Sequence, residues 1–132
     1  MTVRYTRDGW NIQRTHTPDG CVYEYQRQVT LTGAAQNIDL PIHYPASINR
    51  ISYYINNANA KSFTTRIFNG GTDLTSYDEV GAWVLNVDLS LTYTPLGEEG
   101  RYTQTPIIIR TALTASTAGD LFTVKVVTRR LE

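Results

Sequence analysis

Cysteine is nearly missing. Cys21 stands alone in 132 residues, so no internal disulfide can form and no cysteine cluster can hold zinc. A single thiol fits a chain made in a reducing compartment. Long apolar runs are missing too: the longest aliphatic run is Ile107-Ile108-Ile109, far short of the roughly 20 residues that a membrane-spanning helix needs. Residues 1–8 contain no apolar stretch of the kind that opens a secretory signal, so none is expected. No charge sign dominates: 12 basic and 12 acidic residues leave a net charge of zero, which argues against a broad electrostatic footprint for DNA or RNA. Lysine is scarce within that balance. Only Lys61 and Lys125 are lysines and the other basic residues are arginines, alongside nine tyrosines. Arginine and tyrosine are favoured at protein–protein contacts and lysine is depleted there. Tyrosine is equally a good strand former. The helical signal is absent: no window repeats apolar residues at i, i+3, i+4 and i+7 with caps.

What is there is alternation. Tyr23, Tyr25, Val29 and Leu31 share one face of a strand whose other face is Glu24, Gln26, Gln28 and Thr30. Ile38, Leu40 and Ile42 repeat the pattern, and Pro41, which cannot donate to a ladder, marks an edge strand or a bulge. Ile51, Tyr53 and Ile55 set a further face with Tyr54 opposite; Phe63, Thr65 and Ile67 set another. Residues 83–93 read as one long half-buried strand. Ile107 and Ile109 oppose Ile108 and Arg110, and the last strand, from Asp120, buries Phe122, Val124 and Val126. The sum is an all-β antiparallel sandwich, jelly-roll-like, of seven or eight strands and one domain. The expected core is Leu40, Ile51, Ile55, Phe63, Trp83, Leu85, Val87, Ile107, Val124 and Val126. A domain of this length buries roughly two-thirds of its unfolded surface and needs no staple.

Residues 1–20 differ, because Val3, Tyr5, Trp10 and Ile12 are unevenly spaced among Arg4, Arg7 and Arg14. Thr17-Pro18-Asp19-Gly20 is a turn ahead of the first clear strand. The division expected is an N-terminal arm over 1–20 and a β-sandwich domain over 21–132; the alternative is that the stretch is an edge strand of the sandwich itself.

Chemistry-bearing patterns are few. His16 and His43 have no evident local partner, and Cys21 lacks the neighbouring base that a nucleophile needs. Asp73, Asp78 and Glu79 share a polar loop, a weak candidate for a hard cation without the spacing or glycine of a calcium loop. Glu98-Glu99 is a loop tip, and Gly70-Gly71 fits no phosphate-loop pattern. No metal or cofactor is expected. Trp10, Tyr44, Tyr54 and Tyr102 are the aromatics expected at a surface or interface, where they could anchor a subunit or stack on sugars.

The arm, the threonine- and tyrosine-rich sandwich and the closing Gly119-Asp120-Leu121-Phe122-Thr123-Val124-Lys125-Val126-Val127 stretch resemble small virion proteins of tailed bacteriophages, the capsid decoration (cement) and tail or fibre proteins. The resemblance spans the chain and rests on pattern, not on a diagnostic motif. It implies a structural, non-enzymatic role in the virion after synthesis in the host cytoplasm, and usually a homotrimer seated on a major capsid protein. No nucleic acid or membrane partner is implied. The interface residues expected on that reading are Val3, Arg4, Tyr5, Arg7, Trp10, Ile12, Arg14, Tyr44, Tyr54 and Tyr102. A carbohydrate-binding β-sandwich module is the alternative, and a small β-sandwich enzyme the third reading.

Overall fold

The computed structural model describes residues 2–56, 61–70, 77–85, 90–94, 100–115 and 117–131, with the backbone alone at 61, 77–85, 90 and 115. Eleven strands follow one another: β1 (Thr2–Arg7), β2 (Trp10–Thr17), β3 (Gly20–Thr30), β4 (Gln36–Ile42), β5 (Ala46–Ile55), β6 (Lys61–Asn69), β7 (Tyr77–Leu85), β8 (Ser90–Tyr93), β9 (Arg101–Tyr102), β10 (Ile107–Ala115) and β11 (Leu121–Arg130). They form two antiparallel sheets. The larger runs β1-β2-β3-β11-β5-β8, with β9 also paired to β5; the smaller runs β4-β10-β6-β7. The chain is an all-β sandwich, as its alternation predicts, and no helix occurs among the described residues.

Alternation decides which side chains enter the core. Tyr25, Val126 and Ile51 are aligned across β3, β11 and β5 and lie buried, while their sequence neighbours Gln26, Lys125 and Ser52 alternate to the outer face. From the smaller sheet, Leu40, Ile109 and Ile67 are aligned and buried. Phe122, Phe63 and Tyr53 join the two layers in an aromatic cluster, with Phe63 and Phe122 edge to face at 5.5 Å. The Tyr53 hydroxyl sits among Thr65 and Thr111 of the facing sheet, so a buried polar group has partners where it crosses the core. Of the expected core, Leu40, Ile51, Ile55, Phe63, Ile107, Val124 and Val126 are buried; Trp83, Leu85 and Val87 lie outside the described side chains. Pro41 falls on β4, an edge strand of the smaller sheet.

Three features differ from the sequence reading. Residues 2–17 are not a detached arm but a hairpin, β1–β2, continuing the larger sheet beside β3. Its turn is Asp8-Gly9, with φ of 54° and 85°, the positive values that a two-residue turn between twisted strands requires. Trp10 is 1% exposed and its Nε1–H donates to the Asp39 carbonyl of β4 at 2.9 Å, which fastens the hairpin to the opposite sheet. The second difference is the expected long strand over 83–93. It is two strands, β7 and β8, in different sheets; period-two alternation carries no mark of where a chain changes layers. The third is the strand count, raised above seven or eight by the hairpin and the short β8 and β9.

Candidate functional site

The outer face of the larger sheet is polar over most of its width. Cross-strand register places Arg4, Gln13 and Glu24 in one row over β1, β2 and β3, and Thr6, Asn11, Gln26 and Lys125 in the next over β1, β2, β3 and β11. These seven residues are all exposed or half-buried. All seven, with Arg4, Asn11, Gln13, Glu24, Gln26 and Lys125 supplying the charged and amide groups, line an open groove of about 540 Å3 together with Tyr5 and Ile12. At adjacent-strand spacing of about 4.8 Å, four strands give the groove a span of about 14 Å.

Two contacts link polar groups of the groove. Arg4 Nε donates to Gln13 Oε1 at 3.1 Å, and Lys125 Nζ lies 3.9 Å from Glu24 Oε1. Asn11 and Gln26, directly opposite one another beside these pairs, make no side-chain hydrogen bond among the described residues and are exposed. Their amides each offer a carbonyl acceptor and two donors to whatever enters. Beyond Lys125, Thr123 faces Tyr54 across β11 and β5, and Tyr54 is 44% exposed, so an aromatic ring stands diagonally next to the groove's end.

The inner side of the same sheet holds the other aromatics. Tyr44, in the link between β4 and β5, packs its ring 4.7 Å from Tyr23 and hydrogen-bonds through its hydroxyl to Tyr25 and, at 3.4 Å, to Thr128. Burial pushes the Tyr44 phenol up to about 12, against the lowering effect of its bonds to Thr128 and Tyr25. Burial first, and then the neighbouring Tyr44, raise Tyr25 as well. On the outer face of the smaller sheet, Arg110 makes a forked pair with Asp39 at 2.9 and 3.0 Å, and that hydrogen bonding raises its already high pKa.

The residues expected at an interface do not share one surface. Trp10, Ile12 and Tyr102 are 1%, 5% and 3% exposed and belong to the chain's own core, so they cannot anchor a partner. Arg4 lies in the outer groove. Val3 and Arg14 are opposed on the inner face, and Tyr5 and Arg7 follow on β1. Tyr54 is on the outer face and Tyr44 on the inner. Asp73 lies outside the described residues and Asp78 and Glu79 outside the described side chains; among the described residues no group of three His, Cys, Asp or Glu could hold a metal. One pairing went unread in the sequence: His16 and Cys21 face each other across the β2–β3 hairpin, Sγ 3.2 Å from Nδ1. The Thr-Pro-Asp-Gly turn between them is the signal that could have shown it.

No family model matches the chain, and no curated protein matches it. Solved structures do. A structure of TmCBM61 in complex with beta-1,4-galactotriose matches with 8% identity and a TM-score of 0.49, over 98% of this chain and 88% of that one. Carbohydrate-binding module family 29 matches with 12% identity and a TM-score of 0.36, over 97% and 72%. CapF with the inhibitor 3-isopropenyl-tropolone matches with 13% identity and a TM-score of 0.37, over all of this chain and 31% of that one. The expectation of a phage capsid decoration protein, with the homotrimer that went with it, is corrected here: the solved structures that the chain is similar to include carbohydrate-binding modules, the alternative reading. The texture that suggested a virion protein, threonine- and tyrosine-rich alternation, is a property of exposed antiparallel sheets at large.

Proposed function

We propose that the protein binds carbohydrate, without cleaving it, on the outer face of its larger sheet. The observation that carries this reading is the unpaired Asn11–Gln26 amide pair beside the Arg4–Gln13 and Lys125–Glu24 pairs. A sugar presents neighbouring hydroxyls, each both donor and acceptor. Amide, guanidinium and carboxylate groups gathered on one sheet face can satisfy such pairs two bonds at a time. Tyr54 supplies the flat apolar surface on which the C–H face of a pyranose ring can stack. The groove lining is mainly charged and amide side chains, with Tyr5 and Ile12 the two large apolar residues in it, and the net charge of zero gives nucleic acid no field to follow.

Cleavage is disfavoured by composition. Glycoside hydrolysis ordinarily needs two carboxyl groups flanking the bond, and the groove lining holds one, Glu24, already beside Lys125. Titrating the protein calorimetrically with a panel of neutral oligosaccharides tests the proposal. Saturable binding to at least one is expected, with the double variant Asn11→Ala/Gln26→Ala weakened by about tenfold or more, from two hydrogen bonds of roughly 1 kcal/mol each. Tyr54→Ala should weaken the same ligand by about threefold to tenfold. Binding that is indifferent to all three substitutions would remove this face from the account.

A further inference from the structure

We infer a second binding site, for a sulfate or phosphate group, at the end of the larger sheet's inner face. It is built from Arg14 and Arg130 around the Tyr23–Tyr44 ring pair. The site lies on the side of the sheet opposite the groove and does not depend on how the groove is read. Register fixes its layout. Arg14 of β2 is aligned with Tyr23 of β3, and Tyr23 with Thr128 of β11. Arg130 is two residues beyond Thr128 and so returns to the same face. Two strand spacings and two residues separate Arg14 from Arg130 by about 12 Å at Cα, within the combined reach of two arginine side chains.

Both guanidinium groups are held there without a carboxylate. Arg14 Nε is buried and has no hydrogen-bond partner. Arg130 lies over the Tyr44 ring at 5.4 Å, and that ring packs 4.7 Å from Tyr23. Among the described residues neither arginine is in an ion pair, whereas Arg110 and Lys125 both are. A buried donor on a charged group left without an acceptor is costly, and two unpaired cations on one face within side-chain reach of each other add mutual repulsion. An anion between them removes both costs. Nε and a terminal nitrogen of arginine form a fork that matches two oxygens of one oxyanion. The Tyr44 ring holds the second cation at the rim.

The test reads the atom itself. The Nε–Hε resonance of Arg14 is followed by NMR while sodium sulfate replaces sodium chloride at constant ionic strength. The expected result is a saturable shift of that resonance, with apparent affinity reduced by about tenfold in Arg130→Gln, which removes one charge-assisted bond. Arg129→Gln, which removes a charge from the opposite face of the same strand, should leave the shift unchanged. A sulfated oligosaccharide and its desulfated parent distinguish the source. Tighter binding of the sulfated form than of free sulfate assigns the site to a glycan-borne group, and equal or weaker binding assigns it to the free ion; either result supports the site. No shift beyond the chloride baseline, or an identical shift in Arg130→Gln, would overturn it.

Discussion

Trp10 shows how much one side chain can settle. Buried at 1% exposure and donating to the Asp39 carbonyl, it joins the hairpin to the opposite sheet. Trp10→Ala should destabilise the fold by about 3–5 kcal/mol, as for other large-to-small core changes. Trp10→Phe, which keeps most of the packing but orphans the Asp39 carbonyl, should cost about 1–2 kcal/mol. Chemical denaturation of the three proteins measures both. The buried phenols give a pH prediction. Burial holds Tyr44 and Tyr53 at about 12, above the ordinary value of 10.0, and raises Tyr25 too. Each binds its proton more tightly folded than unfolded, so this stability is whole below the unfolded value and is lost as pH rises from about 10 toward 12. Ultraviolet titration should show these phenols ionising only as near-ultraviolet circular dichroism collapses. Smooth titration of all nine tyrosines in a folded chain would contradict the burial.

At the scale of elements, alternation made most of the sheet legible. Tyr23 and Tyr25 against Glu24 and Gln26, and Ile51, Tyr53 and Ile55 against Tyr54, fall on the faces their parity predicts. Pro41 gave away an edge strand for the same backbone reason, the missing donor. The edge-strand alternative for residues 1–20 is the one the β1–β2 hairpin fits, and its turn was legible: Asp8-Gly9 between Arg7 and Trp10 is a strong short hairpin signal. Its uneven apolar spacing obscured it, because β1 is an edge strand with little to bury and β2 alternates Trp10 and Ile12 with polar residues. The groove was not legible. Its members lie on four strands drawn from both ends of the chain, and only the pairing of β11 with β3 brings Lys125 to Glu24. Deleting residues 2–18 should therefore unfold or strongly destabilise the domain, since it removes Trp10 and Ile12 from the core and strips β3 of its neighbour. A truncated protein with an undiminished thermal midpoint would return the stretch to the status of an arm.

For the molecule as a whole, the two faces of the larger sheet carry different chemistry. The outer face presents amides, hydroxyls and paired charges with one exposed ring; the inner face presents a core that ends in tyrosines and two arginines without carboxylate partners. Burial of the core fixes the backbone of both faces at once, so the groove is held by strands and not by loops, and a ligand entering it would meet a surface already ordered. The most direct measurement of the central claim is mapping of backbone amide shifts during titration with the tightest-binding neutral oligosaccharide. The account predicts saturable changes that trace Arg4, Asn11, Gln13, Glu24, Gln26 and Lys125 and reach Tyr54, with Tyr23 and Tyr44 unmoved. Changes confined to the smaller sheet, or none with any glycan tried, would contradict it.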